Sequence, residues 1–288
     1  MKDLIKLARP EQYIKNTFIF LPIFFTGEVA NPELLFNAFI AFIAFSVTAS
    51  AIYILNDYHD IEEDRLHPKK KNRPLASGSV SKTSAIIMLL VVFISGSAIM
   101  AWLSLNALAI LVAYVAMNVA YSTHIKHIAI LDVVVIATGF VLRLFVGSSV
   151  TGVPLSMWIV IMTFLLAMFL ALAKRRDDVL VFLDTGEKAR KVIDGYNLKL
   201  IDGAMMIMAS VVIVAYILYT TSATIAQKFQ SDYLYVTSLF VILGILRYMQ
   251  IAFVDKNSGS PTRVVLTDRF IQLTIAAWLF AFAWIIYL

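Results

Sequence analysis

The chain has 288 residues, of which 60% are hydrophobic and 15% charged, with a mean hydropathy of +0.83. That balance excludes an ordinary soluble globular domain and marks a polytopic membrane protein. The absence of cysteine excludes disulfides, thiolate catalysis and Cys-ligated metal centres, the four histidines form no i, i+4 pair, and a formal charge of +5 is ordinary for a membrane protein and does not point to nucleic acid.

Division at Gly, Pro, Asn and charge clusters predicts nine membrane helices, near residues 13–27, 34–56, 84–103, 106–122, 130–149, 154–173, 200–221, 233–253 and 269–288. The fold class is therefore all-α, a single transmembrane domain over residues 1–288. With the N-terminus placed inside, 22 of the 24 Lys and Arg residues fall in the tail, in the segments after spans two, four and six, and around the segment after span eight. Positive charge is retained on the cytoplasmic side, so the predicted topology is N-terminus in and C-terminus out, with a charged inner face.

Span two runs into NDYHDIEEDRLHPKKKNRPLASG, residues 56–78. A helix continued past the membrane boundary places Asn56, Asp60 and Asp64 at i, i+4, i+8, with Asp57 one step away, so one face carries up to four oxygen-bearing side chains. Like charges at that spacing repel unless a cation neutralises them. All-oxygen ligand sets select Mg2+ or Mn2+, and Mg2+ is commonly held by one or two carboxylates plus substrate phosphate. The basic residues that follow, Lys69, Lys70, Lys71 and Arg73, suit the phosphate oxygens the metal leaves free. Together these residues describe a diphosphate site at the inner surface. A transporter is the rival of another class, but transporter charge tends to sit at the midplane among broken, repeated helices.

Farther along, Arg143 falls inside span five, where an intramembrane arginine costs ~2.5 kcal/mol or more unless it meets an anion or a cavity. Its partner is either an anionic substrate or a membrane-end carboxylate such as Asp132, about three helical turns earlier, so that the same face could hold both. After span six a loop is expected to open with LALAKRRDDVLVF, basic residues first and Asp177 and Asp178 second.

Residues 56–78 resemble the first aspartate motif of the UbiA-type intramembrane prenyltransferase superfamily, NDxxDxxxD followed by HPxKxxRPxASG, and the nine-span pattern is similar to that superfamily's fold over the whole chain. Members that transfer prenyl groups carry a second motif, typically DxxxD, after span six, whereas the only DxxxD in this chain is Asp60 to Asp64. Together with RPEQYIKNTFIFLPIFF, YSTHIKHIAILDVVVIATGFVLRLFVG and GSPTRVVLTDR, the KRRDD segment resembles the decaprenyl-phosphate phosphoribosyltransferase branch. The resemblance implies Mg2+-dependent transfer of a 5-phosphoribosyl group from phosphoribosyl diphosphate to a polyprenyl phosphate lipid at the cytoplasmic face of a bacterial-type inner membrane. It implies metal ligation by Asn56, Asp57, Asp60 and Asp64, catalysis by Asp57, Asp60, Asp64 and Arg143, and phosphate contacts from Lys15, Lys69, Arg73, Lys126, Arg143, Lys174 and Arg175. Holding a diphosphate, a 5-phosphate and an acceptor phosphate at once requires more cations than prenyl transfer does, and these residues supply them. The alternative is prenyl transfer to an aromatic or glycerol-phosphate acceptor.

Overall fold

The computed structural model describes residues 2–66, 70–186, 191–256 and 258–287. Among these, every regular element is helical, and the chain divides into two compact units, residues 1–123 with 142–155, and residues 124–141 with 156–288. Eight described helical stretches are long and apolar enough to cross a membrane, with Pro32–His59 the first and Arg269–Ile286 the last.

The first unit contains α1 (Lys2–Ala8), α2 (Leu21–Thr26), α3 (Pro32–His59), α4 (Ile61–Leu66), α5 (Lys82–Leu103), α6 (Leu105–Thr123) and the second half of α7 (Leu131–Thr151). The first predicted span is not a plain α-helix: Pro10–Phe20 is a 3-10 segment that runs into the short α2. A register match with α3 explains this. Tyr13 Oη pairs with Ser50 Oγ at 2.8 Å, Asn16 donates to Ser46 Oγ at 2.8 Å, and Ile19 is fully buried among Ala41, Ala44 and Phe45. Three residues of 3-10 helix rise about 6 Å, as do four residues of α-helix, so a period-three stripe on one segment stays in step with a period-four stripe on the other. The stretch Pro10–Thr26 is about 31 Å long by the same rises, close to the ~30 Å thickness of a hydrocarbon core.

Close packing inside this unit relies on small residues, because lipid tails compete with apolar side chains for the same contacts. Ala38, Ala41, Ala44, Ala49, Ser46 and Ser50 line the buried side of α3. Gly96 of α5 lies against them, and a methyl group there would stand 2.7 Å from the Ala44 carbonyl oxygen. On α7, a Cβ at Gly147 would collide with the backbone carbonyl of Ile19.

The second unit is built on α8 (Met157–Thr185), α9 (Leu198–Thr220), α11 (Ser238–Phe253) and α13 (Arg269–Tyr287), with the shorter α10 (Ala223–Phe229) and α12 (Pro261–Thr267) between them. Its core includes Phe169 of α8, whose ring meets Tyr248 of α11 edge-on with centroids 5.6 Å apart. Here one expectation is corrected. Residues 174–185, read as a loop, continue α8 without interruption. No Gly or Pro interrupts the sequence before Gly186, which ends the helix in the left-handed conformation at φ 72°, and an i, i+3 pair between Arg175 and Asp178 supports this last stretch of helix.

Candidate active site

Within the first unit, the described residues of the 56–78 segment form the end of α3, then α4, and a basic turn at Lys70–Asn72. The unbroken helix expected over the carboxylates is interrupted at Asp60, which caps α3 with φ −94° and ψ 10°. The i to i+4 bonding nevertheless continues across the break, from Asp60 N to the Asn56 carbonyl at 3.0 Å and from Asp64 N to the Asp60 carbonyl at 2.8 Å. Asp57 and Asp64 consequently reach the same partner. Arg73 Nη1 donates to Asp57 Oδ1 at 3.1 Å and to Asp64 Oδ2 at 2.6 Å. Lys70 Nζ lies 3.8 Å from Asp64 Oδ1. Both carboxylates are almost fully buried, at 2% and 1% exposure, while Asp60 is half-buried.

A second guanidinium, unforeseen in the sequence, completes the group. Arg9 donates to Asp57 Oδ1 at 2.5 Å and lies over the Tyr53 ring at 5.4 Å. Its backbone is left-handed, φ 55° and ψ 59°, a conformation that costs a non-glycine residue energy and persists only where the surroundings impose it. The sequence signal was the RP dipeptide itself, with an arginine held between a helix end and a proline.

Oxygen donors are left over. Asn56 Oδ1 and Asp64 Oδ1 are buried and make no hydrogen bond among the described residues. Buried acceptors without donors are costly, and Asn56 Oδ1 with the Asp57 and Asp64 carboxylates offers only oxygen, the donor type that suits a hard divalent cation. Among the described residues no group of three or more His, Cys, Asp or Glu side chains converges, so the donors fit a cation that takes its remaining ligands from phosphate or water.

Arg143 lies deeper in the first unit and is 4% exposed. Its Nε donates to Asn16 Oδ1 at 2.8 Å and its Nη2 to Tyr114 Oη at 3.1 Å, and its guanidinium carbon lies 4.9 Å from the centroids of both the Phe45 and Tyr114 rings. Asn16 and Tyr114 are neutral, so these bonds orient the fork without cancelling its charge. Asp132, the carboxylate considered as its partner, is engaged elsewhere, by Arg175 and Tyr196. Arg143→Lys keeps the charge and loses the fork. It is expected to slow turnover by roughly tenfold or more, the equivalent of one charged hydrogen bond, with thermal stability little changed. Steady-state kinetics and melting curves in detergent check this, and a large stability loss with unaltered turnover per folded molecule would assign Arg143 to the fold.

The remaining expected residues divide between the units. Lys15 is half-buried on the 3-10 segment, next to Asn16. Lys69 lies outside the described residues. Lys126, in the Ile125–His127 turn, and Lys174 are half-buried in the second unit. In that unit Arg175, 1% exposed, donates to Asp132 Oδ2 at 2.5 Å and to Asp178 Oδ2 at 2.7 Å. Tyr196 donates to Asp132 Oδ1 at 2.6 Å and accepts from the Ile130 N–H, and burial followed by that carboxylate holds its phenol well above the usual tyrosine range. Arg176 donates to Asp202 at 2.8 Å, and Asp177 accepts from Ser258 at 2.8 Å.

Comparison with known proteins matches a family over most of the chain. The UbiA prenyltransferase family model matches residues 17–274. The decaprenyl-phosphate phosphoribosyltransferase of Mycolicibacterium smegmatis is 30% identical over 292 residues, covering 97% of this chain and 91% of its own length. That of Corynebacterium glutamicum is 29% identical, covering 99% of this chain and 87% of its own. The solved structure of a UbiA homologue from Archaeoglobus fulgidus bound to DMAPP and Mg2+ shares the fold, with a TM-score of 0.72 at 17% identity over 99% of each chain. Eight apolar helices, a carboxylate and guanidinium cluster at the end of the first of them, and family matches over nearly the whole length establish that this chain is an integral membrane transferase belonging to the UbiA prenyltransferase family.

Proposed function

We propose that the chain transfers a 5-phosphoribosyl group from phosphoribosyl diphosphate to a polyprenyl phosphate and releases diphosphate, working as one transmembrane domain of nine spans with its charged end in the cytoplasm. The carrying observation is the first-unit cluster, in which buried oxygen donors and two guanidiniums share one place, in a chain about 30% identical over its length to phosphoribosyltransferases. A Mg2+ ion held by Asn56, Asp57 and Asp64, with Asp60 at the helix break, would offset charge building up on the departing diphosphate. Arg9 and Arg73 present N–H forks to the same diphosphate oxygens. The bond from C1 of the ribose to the diphosphate oxygen breaks with its electron pair leaving on diphosphate. A phosphate oxygen of the lipid forms the new bond to C1, from the opposite face, inverting that centre. The lipid phosphate is already anionic, so no side chain needs to remove a proton. Lys15, Lys69 and Arg143 in the first unit, and Lys126, Lys174 and Arg175 in the second, are the further phosphate-binding cations of this reading. Positioning and electrostatics account for the rate in this reading.

Incubation of purified protein with labelled phosphoribosyl diphosphate, Mg2+ and a polyprenyl phosphate is expected to give a labelled, lipid-extractable product. Turnover of a prenyl diphosphate with an aromatic acceptor, but not of phosphoribosyl diphosphate, would overturn the donor assignment.

A further inference from the structure

The arginines hold Asp57 through Oδ1 and Asp64 through Oδ2, beside the oxygens a cation would use. Arg73 Nη1 bridges the two carboxylates, and Asp57 Oδ1 accepts from both Arg9 and Arg73. A divalent ion on these oxygens would stand within a few ångströms of two guanidiniums in a largely dry place, where like charges repel strongly. The local charge count points the same way. Among the described residues, two carboxylates are contacted by Arg9, Arg73 and Lys70, a formal excess of one positive charge, and adding half-buried Asp60 brings the count only to neutral. A bare divalent cation is not drawn to such a place, whereas a metal diphosphate, which is anionic, is. Among the described residues Asn56 Oδ1 and Asp64 Oδ1 are buried without a hydrogen-bond donor.

From this geometry we propose that Arg9 and Arg73 form an electrostatic latch on the carboxylate pair. They occupy Asp57 and Asp64 until a diphosphate takes over their N–H groups, so cation and diphosphate bind as a unit and neither binds well alone. The inference rests on the diphosphate reading given above and adds the order in which the site fills. Arg9 and Arg73 are the exposed partners, at 23% and 28% against 2% for each carboxylate side chain, so it is the arginines that have room to move. The left-handed backbone of Arg9 fits a residue kept in place by its carboxylate contact.

The test is Mn2+ binding by full-length protein, followed by electron paramagnetic resonance at pH 8 and at equal free Mn2+, with and without inorganic pyrophosphate. Wild type is expected to bind Mn2+ roughly ten- to a hundredfold more tightly when pyrophosphate is present, a range set by the charged contacts exchanged. Arg73→Gln, although it removes a residue of the site, is expected to bind Mn2+ alone roughly tenfold more tightly than wild type and to lose most of the pyrophosphate coupling. Arg9→Gln is expected to shift in the same direction and serves if Arg73→Gln does not fold. Lys82→Gln, exposed at the start of α5, removes an equal charge elsewhere and is expected to match wild type. Equal Mn2+ affinity with and without pyrophosphate in wild type, or an unchanged or weaker affinity in both arginine variants, overturns the latch. Mn2+ binding to no form of the protein overturns the metal reading and the latch together. Intact coupling in a protein that does not turn over phosphoribosyl diphosphate leaves the latch standing and removes the donor assignment alone.

Discussion

Asp57→Ala is expected to lower turnover roughly a thousandfold or more, the rate equivalent of the several kcal/mol that charge stabilisation at a metal-assisted site supplies, while leaving the helical fold intact. Asp57 Oδ1 accepts from both Arg9 and Arg73, so its loss removes a buried carboxylate and the common anchor of both guanidiniums. Stability should change little, because the partners left behind are 23% and 28% exposed and can turn to water. Asp64→Ala should behave similarly. Asp60→Ala tests the remaining member of the motif, and because Asp60 also caps α3, its melting curve must be read beside its kinetics. Formation of labelled lipid product, compared with thermal unfolding in the same detergent, separates the two effects. Near-wild-type turnover in all three variants would remove the carboxylates from the chemistry.

The eight long membrane spans were legible because a run of apolar residues long enough to cross a bilayer has few other uses. The first motif was legible because its carboxylates recur at helical spacing. Arg9 was not, because its role depends on a contact 48 residues away in sequence and on a backbone conformation that composition does not report. The 3-10 segment was missed for a related reason. Tyr13, Asn16 and Ile19 form a period-three stripe that has meaning only against the period-four stripe of Ser46 and Ser50 on α3, and a 3-10 run this long is uncommon. The continuation of α8 through residues 174–185 was misread because a cluster of charge after a span suggests a loop, yet Arg175 and Asp178 neutralise each other along the helix and the first true breaker is Gly186.

The last expectation concerns two adjacent cations that the sequence treated alike and the structure separates. Arg175 is 1% exposed and bonded to Asp132, which is fully buried, whereas Lys174 is half-buried. Among the described residues Arg175→Leu leaves the Asp132 carboxylate with Tyr196 as its remaining side-chain donor, and breaking a buried pair from one side costs ~3–5 kcal/mol. Asp132→Leu should cost less, since Asp178 still holds the guanidinium at 2.7 Å. The double variant, with both charges replaced by apolar side chains, should recover much of the loss. Lys174→Ala is expected to leave thermal stability nearly unchanged and to lower kcat/KM for phosphoribosyl diphosphate or polyprenyl phosphate by roughly ten- to a hundredfold, the effect of one charge-assisted phosphate contact. Melting curves of the four variants and kinetics of each folded one decide between the roles. If the double variant regains stability but keeps a ten- to hundredfold defect, Arg175 also meets substrate phosphate; if stability and turnover return together, its work is to hold α8 to the start of α7 through Asp132.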